Sequence, residues 1–203
     1  MNGVTLTSAH GYPARIIAPG LAGVRSVKWL DKITVQQKES SNHYQQRDYK
    51  VLPPNVDTPE RAEKEWSLVP ALQEMPINSS ILSPCSDSTT SRDQHDKAVI
   101  RGYAIPGYGS GPITNVAVSA DDGESWSDAD LYVGLDKSID QSRLKWAWCL
   151  WQIKMPLREG SGRRFLSRAT DKGGNAQREA RSEWNLRGVA YNGYGEVNNV
   201  NVT

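Results

Sequence analysis

Two cysteines, Cys85 and Cys149, and three histidines, His10, His43 and His95, are the soft ligands and near-neutral titrating groups of this chain. They are too few for a disulfide framework or a zinc ribbon, and reduced thiols in an intracellular compartment are the expectation. With 24 Lys and Arg against 23 Asp and Glu, the net charge of +1 leaves no broad basic field for nucleic acid. Any anion chemistry must therefore come from arginines and lysines placed locally. Arginine offers oxyanions a planar fork of donors, lysine a point charge, and a tyrosine hydroxyl a donor without added charge. Taken singly, the carriers of such chemistry have plain structural readings. His10, beside Gly11-Tyr12-Pro13, reads as a turn histidine, and Arg15, in an apolar run, as a strand residue with an ion-pair partner. Lys28 reads as solvent-exposed, Tyr49 as a packing residue in a loop, and Arg187 as the outward residue of a strand.

The elements that would position these residues differ between the two halves. The 203 residues are 37% hydrophobic and 23% charged, enough for a packed core. Between residues 4 and 36, Gly11, Pro13, Gly20 and Gly23 separate short apolar runs at 14–18, 27–30 and 33–35, which predict short strands and tight turns. Residues 40–56 are polar and aromatic without a period and predict a loop. Pro59 to Trp66, with Pro at the first turn and acids early, predicts a short helix with too little apolar content for a core. From Pro76 onward strand-like runs recur at 98–104, 113–119, 126–132, 145–155 and 164–170, with Asp121-Asp122-Gly123 as a hairpin turn. Val116 and Val118 share a face, and Trp146, Trp148 and Trp151 are expected in the core or an interface. No apolar run is long enough for a membrane span, no secretory signal follows Met1, and the sequons at Asn78 and Asn201 read as chance. The fold expected is mainly β: residues 1–75 as the tail of a mixed α+β domain, then an immunoglobulin-like β-sandwich over 76–203.

A family resemblance runs through the chain. His10-Gly11-Tyr12-Pro13-Ala14-Arg15, Pro19-Gly20 and Gly23-Val24-Arg25-Ser26-Val27-Lys28-Trp29-Leu30 resemble the end of the molybdopterin domain of eukaryotic sulfite oxidases and assimilatory nitrate reductases. It continues in Arg47-Asp48-Tyr49-Lys50, Arg101-Gly102-Tyr103-Ala104, Val118 to Trp126, Trp146-Ala147-Trp148 and Trp184-Asn185-Leu186-Arg187-Gly188. The resemblance implies that 1–75 is the C-terminal tail of the molybdopterin-binding domain and 76–203 the dimerisation domain, hence a homodimer. It implies that His10, Arg15, Ser26, Val27 and Lys28 contact the molybdenum-molybdopterin cofactor (Moco). It also implies that Tyr49 lines the substrate pocket and that Arg187 completes the anion pocket, reaching in from the second domain. The family's metal thiolate belongs to a cysteine upstream of the His10 segment. Neither Cys85 nor Cys149 matches it, no metal ligand is assigned, and the chain by itself is expected to be inactive.

Tyr49 and Arg187 decide between the two relatives, because nitrate reductases typically lack them at these points, although Val51-Leu52-Pro53 and Ser83-Pro84-Cys85 resemble nitrate reductases. The implied reaction is oxygen-atom transfer to sulfite, giving sulfate, with Arg187 neutralising the anion and Tyr49 orienting it. A nitrate reductase fragment and a non-catalytic, truncated dimerisation module are the alternatives. Re-oxidation needs an acceptor, oxygen or a cytochrome, and haem is not evident in this chain, so no haem-ligand pattern chooses between them. The compartment is intracellular, with mitochondrial, peroxisomal and cytoplasmic locations undecided. Tyr194-Gly195-Glu196, residues 86–97 and residues 132–144 depart from the family pattern.

Overall fold

The computed structural model describes residues 1, 3–132, 141–179 and 184–203. The chain forms two compact units, Met1–Met75 with Asn185–Ala190, and Pro76–Trp184 with Tyr191–Thr203.

The second unit is a β-sandwich. Its strands are β1 (Asn78–Ser83), β2 (Thr89–Thr90), β3 (Lys97–Ile105), β4 (Ile113–Ser119), β5 (Ser127–Asp128), β6 (Asp130–Tyr132), β7 (Cys149–Pro156), β8 (Gly160–Asp171) and β9 (Gly195–Val202). One sheet has the order β1-β3-β7-β6 and the other β2-β9-β8-β4-β5. All neighbours are antiparallel except β2 and β9. Alternation along the strands sends one face of each sheet inward. Ile100, Ala104, Cys149 and Trp151 meet Val116, Val118, Phe165, Ala169 and Val200 in one buried core. The predicted hairpin turn is present: Asp122 (φ 58°) and Gly123 (φ 91°) both adopt positive φ, as a type I′ turn demands, and Glu124 N bonds Asp121 O at 3.2 Å. The run expected at 126–132 is divided. β5 pairs with β4 in one sheet and β6 with β7 in the other, so the chain changes sheets at Ala129.

The tryptophan run corrects the sequence reading. Gln141–Trp146 is a 3-10 helix and β7 begins only at Cys149. Trp151 is 2% exposed in the core, whereas Trp146 and Trp148 are 41% and 59% exposed. The two outer indoles lie against polar or aromatic neighbours instead: Lys145 over Trp146 and Tyr103 beside Trp148. Residues 133–140 of the divergent segment lie outside the described residues.

The first unit contains little regular structure. The strands predicted at 14–18, 27–30 and 33–35 are not formed. A two-bond ladder, Ile16 N to Val27 O and Leu30 N to Ala14 O, joins the first two runs, and Gly23–Arg25 is a 3-10 turn. The loop expected over 40–56 contains a π-helical turn, Tyr44–Asp48. The short helix forms where predicted: α1, Pro59–Glu65, has Pro at its start, Glu60 in its first turn and a Thr58 cap accepting from Arg61 N, but contrary to expectation it contributes to a core. It buries Ala62, and with Leu52, Val56 and Trp66 this residue forms a small core against which Val69 and Leu186 pack. Leu186 explains why Asn185–Ala190 groups with the first unit rather than with the residues on either side. No helix among the described residues is long and apolar enough to cross a membrane.

Candidate functional site

The cofactor-side candidates converge on one short turn. Ser8–His10 is a 3-10 turn closed by Gly11, whose φ of 108° favours glycine. A Cβ at Gly11 would also come within 2.9 Å of Lys28 Cβ, so its absence lets the two segments touch. The turn's three carbonyls are all taken by side chains: Ser8 O accepts from Trp29 Nε1 (2.8 Å), Ala9 O from Lys28 Nζ (3.0 Å) and His10 O from Arg15 Nη1 (3.1 Å). His10 itself is exposed, with Nδ1 at 2.6 Å from Thr7 Oγ1. Ser26 Oγ accepts from Ala18 N at 3.1 Å, and Val27, 45% exposed, gives its carbonyl to Ile16 N. The structure thus brings His10, Arg15 and Lys28 around one turn, with Ser26 and Val27 on the adjoining ladder.

The substrate-side candidates are held by a second set of contacts in the same unit. In the π-helical turn Tyr49 N bonds Tyr44 O at 3.1 Å; such turns concentrate at functional sites. Tyr49 O accepts from Leu72 N at 2.6 Å, which fixes the backbone of this half-buried tyrosine from both sides. Arg187 Nη1 reaches Asp48 Oδ1 at 2.6 Å, across 139 positions of sequence. Arg187 belongs to the stretch expected to form the second domain, and its loop Asn185–Ala190 groups with the first unit, because Leu186 is packed on that unit's small core and Asn185 caps its own loop, accepting from Arg187 N and Val189 N.

Asp48 was not singled out from sequence, although it stands in the motif beside Tyr49. Arg187 hydrogen-bonded to it holds its carboxyl below the usual aspartate range, with a smaller contribution from His43 at 3.7 Å. Arg25 was also missed. It bonds the Gln45 side chain and donates to Leu72 O at 2.7 Å, tying the 3-10 turn at 23–25 to the segment that holds Tyr49. Lys50, 2% exposed, turns its Nζ to Trp66 O at 2.6 Å. A cavity of about 450 Å³ is lined by Gln36–Ser41 and contains none of the candidates.

The donor set fits the anionic part of the cofactor that the resemblance implies. Arg15 Nε is buried without a partner, Lys28 Nζ spends one of its three donors on Ala9 O, and Ser26 keeps its O–H to donate. A metal thiolate is a different matter. Cys85 and Cys149 are both in the second unit, and burial pushes the Cys149 thiol up to about 11. Among the described residues no group of three or more His, Cys, Asp or Glu is placed to hold a metal ion.

Comparison with known proteins agrees with this architecture. The Mo-co oxidoreductase dimerisation domain family matches residues 69–202, and the oxidoreductase molybdopterin binding domain family matches residues 1–44. Human mitochondrial sulfite oxidase is 38% identical over 199 residues, which are 97% of this chain and 34% of that protein. NADH nitrate reductase 2 of Phaseolus vulgaris is 38% identical over 202 residues, 94% of this chain and 22% of that protein. The crystal structure of the sulfane dehydrogenase SoxCD from Paracoccus pantotrophus superposes with a TM-score of 0.68 at 26% identity, covering 98% of this chain and 49% of that one. The chain spans about a third of the length of the human relative. With a molybdopterin-domain segment leading into a two-sheet dimerisation domain, and relatives collinear over nearly all of it, the chain belongs to the sulfite oxidase family of molybdenum-cofactor oxidoreductases.

Proposed function

We propose that this chain is the C-terminal portion of an enzyme that oxidises sulfite to sulfate. The observation that carries the reading is the docking of Arg187 on Asp48, next in the chain to Tyr49. By the family resemblance Tyr49 and Arg187 are what separates a sulfite pocket from a nitrate pocket, and the two come from distant sequence into one unit. The NADH nitrate reductase relative is equally identical, so overall similarity alone does not choose between them.

His10, Arg15, Ser26, Val27 and Lys28 would hold the molybdenum cofactor through cationic and hydroxyl donors and through the Val27 backbone. When bound, that cofactor supplies the two-electron, oxygen-atom-transfer chemistry. The protein's part is charge and position. Arg187 keeps further donors beyond the one on Asp48, so its guanidinium can neutralise a sulfite oxygen while the carboxylate fixes its plane. The Tyr49 hydroxyl would orient the anion by donating to a second oxygen. Preorganised donors aimed at an oxyanion lower its binding and transition-state energies together.

The dimerisation domain supports a homodimer through residues 76–203. The metal's thiolate would come from neither Cys85 nor Cys149, and residues 1–203 by themselves would be inactive toward sulfite. Two unpaired cysteines, one of them exposed, support an intracellular setting. The electron acceptor would be oxygen or a cytochrome. The test is steady-state kinetics on the full-length protein, wild type and Arg187→Met. Sulfite turnover with a KM raised about tenfold or more in the variant is expected, from loss of a charge-assisted contact. Nitrate reduction without sulfite oxidation would overturn the reading.

A further inference from the structure

His43 stands at the head of the π-helical turn Tyr44–Asp48, with helical backbone angles of its own. The Tyr49 N to Tyr44 O bond closes that turn at five residues, the spacing that also separates His43 from Asp48. The wider turn thereby returns the imidazole to the carboxylate, with Nε2 at 3.7 Å from Asp48 Oδ1. The same oxygen accepts from Arg187 Nη1 at 2.6 Å. One carboxylate oxygen thus faces two bases: a guanidinium that is always charged, and an imidazole, the side-chain type that gains and loses its charge near neutral pH. The His43 side chain is 72% exposed and meets Tyr44 only edge-on, so protons reach it from solvent.

The other charges around this turn are committed elsewhere. Arg47 pairs with Glu63 of α1 and lies over the Trp66 ring, and Glu39 takes the Gln45 and Gln46 amides. Lys50 donates to Trp66 O, and Arg25 bonds Gln45 and Leu72 O. Among the described residues, Arg187 and His43 are the cations that lower the Asp48 carboxyl, Arg187 by hydrogen bond and charge, His43 by charge alone. With His43 neutral, Asp48 and Arg187 cancel as a pair. With His43 protonated, the three groups carry a net positive charge, and the carboxylate is divided between two donors.

We propose that His43 is a positioning residue for the anion pocket: once protonated it takes a share of Asp48 and frees Arg187 for the substrate. This role presupposes the sulfite-oxidising reading of the site. Its sign follows from the charges. As pH falls through the histidine range, Arg187 is less neutralised and anions are held more tightly; as pH rises, Asp48 returns to Arg187 and anions leave more readily. The pair is solvent-exposed, so the effect is a factor of about three in affinity, and it shrinks with added salt.

Calorimetric titration of the full-length holoenzyme with sulfate tests it, since sulfate remains a dianion throughout neutral pH. Binding is compared between about pH 8 and about pH 5.5 at low ionic strength. The proteins are the wild type, His43→Gln, His43→Arg, Asp48→Asn and the double variant of His43→Gln with Asp48→Asn, each shown to be folded by circular dichroism. The wild-type dissociation constant should fall about threefold more over this range than that of His43→Gln. His43→Arg should bind tightly at both ends, and Asp48→Asn should match the double variant. Identical profiles for the wild type and His43→Gln would overturn the role of His43. So would a step that survives in Asp48→Asn but not in the double variant, because His43 would then act on the anion directly. Sulfite turnover by the same wild-type preparation is measured alongside. Its absence would overturn the sulfite reading, and this role with it.

Discussion

Gln177 offers a sharp test of what holds the sandwich together. The residue is 4% exposed, and its Oε1 accepts from Ser79 Oγ at 2.6 Å and from Ala169 N at 2.9 Å. Its Nε2 donates to Gly193 O at 2.6 Å. One amide therefore ties β1, β8 and the segment leading into β9. Replacing it by leucine keeps much of the volume but strands the Ala169 N–H and the Gly193 carbonyl, while Ser79 can still bond Ser167 at 2.9 Å. Two buried orphans at about 1–3 kcal/mol each give about 4 kcal/mol at the centre of the range. Added apolar burial returns about 1 kcal/mol, leaving a loss of about 3 kcal/mol. Against a typical domain stability of about 5–15 kcal/mol this is severe, and it lowers Tm by about 10 °C. Urea unfolding followed by tryptophan fluorescence and thermal unfolding by circular dichroism measure both quantities. A loss under about 1 kcal/mol would refute the reasoning, because it would mean that the stranded groups find water or other partners.

Gly102→Ala should be more damaging than its one added carbon suggests, because a Cβ there lands on the Ser80 carbonyl oxygen and the Trp151 ring. The loss should reach or exceed the about 1–3 kcal/mol of ordinary overpacking, and a wild-type urea midpoint would contradict it. Under native conditions a thiol reagent should label Cys85 quickly and Cys149 only after unfolding. With the Cys149 thiol raised from 9.0 to about 11, the unfolded chain releases its proton first, so stability should fall as pH climbs through that window. Asp121, bonded to the Ser125 side chain and backbone and to Ser119, is lowered from 3.8 to about 2. Its contribution is present above pH 3.8 and is lost as pH falls toward about 2, and Asp121→Asn should remove that component from an acid titration of stability.

Much of the sandwich was legible because its strands carry two-residue alternation and its turns carry their own chemistry. β4 spans the expected residues, β3 extends one residue beyond its expected run at each end, β8 begins four residues earlier than expected, and Asp122-Gly123 turns where that pair should. The tryptophan run misled because a half-exposed indole stacked on Tyr103 or under Lys145 looks, in sequence, like a buried one. The first unit was less legible for a different reason. The Ser8–His10 carbonyls find their partners on Trp29, Lys28 and Arg15 instead of in a ladder, and no period encodes such pairings. Gln177, Ser79 and Ser167 are polar residues in the core, which hydrophobic patterning assigns to the surface. For the candidate site, the motifs point to Tyr49 and Arg187, and only the fold adds the ion pair of Arg187 with Asp48.

The short excursion of Asn185–Ala190 bears on how such a protein can change by recombination. Six residues inherited with the sandwich's gene segment are structural members of the first unit: Leu186 seals its small core and Arg187 pairs with Asp48. A crossover at the boundary near residue 75 would bring in a foreign Leu186 and a foreign Arg187 together with the new sandwich. Offspring of such an exchange would survive only where the donor's loop already matched the recipient's Asp48 and its cluster around Trp66. The two units are thus joined by descent, and lineages in this family would be expected to pass them on as a pair.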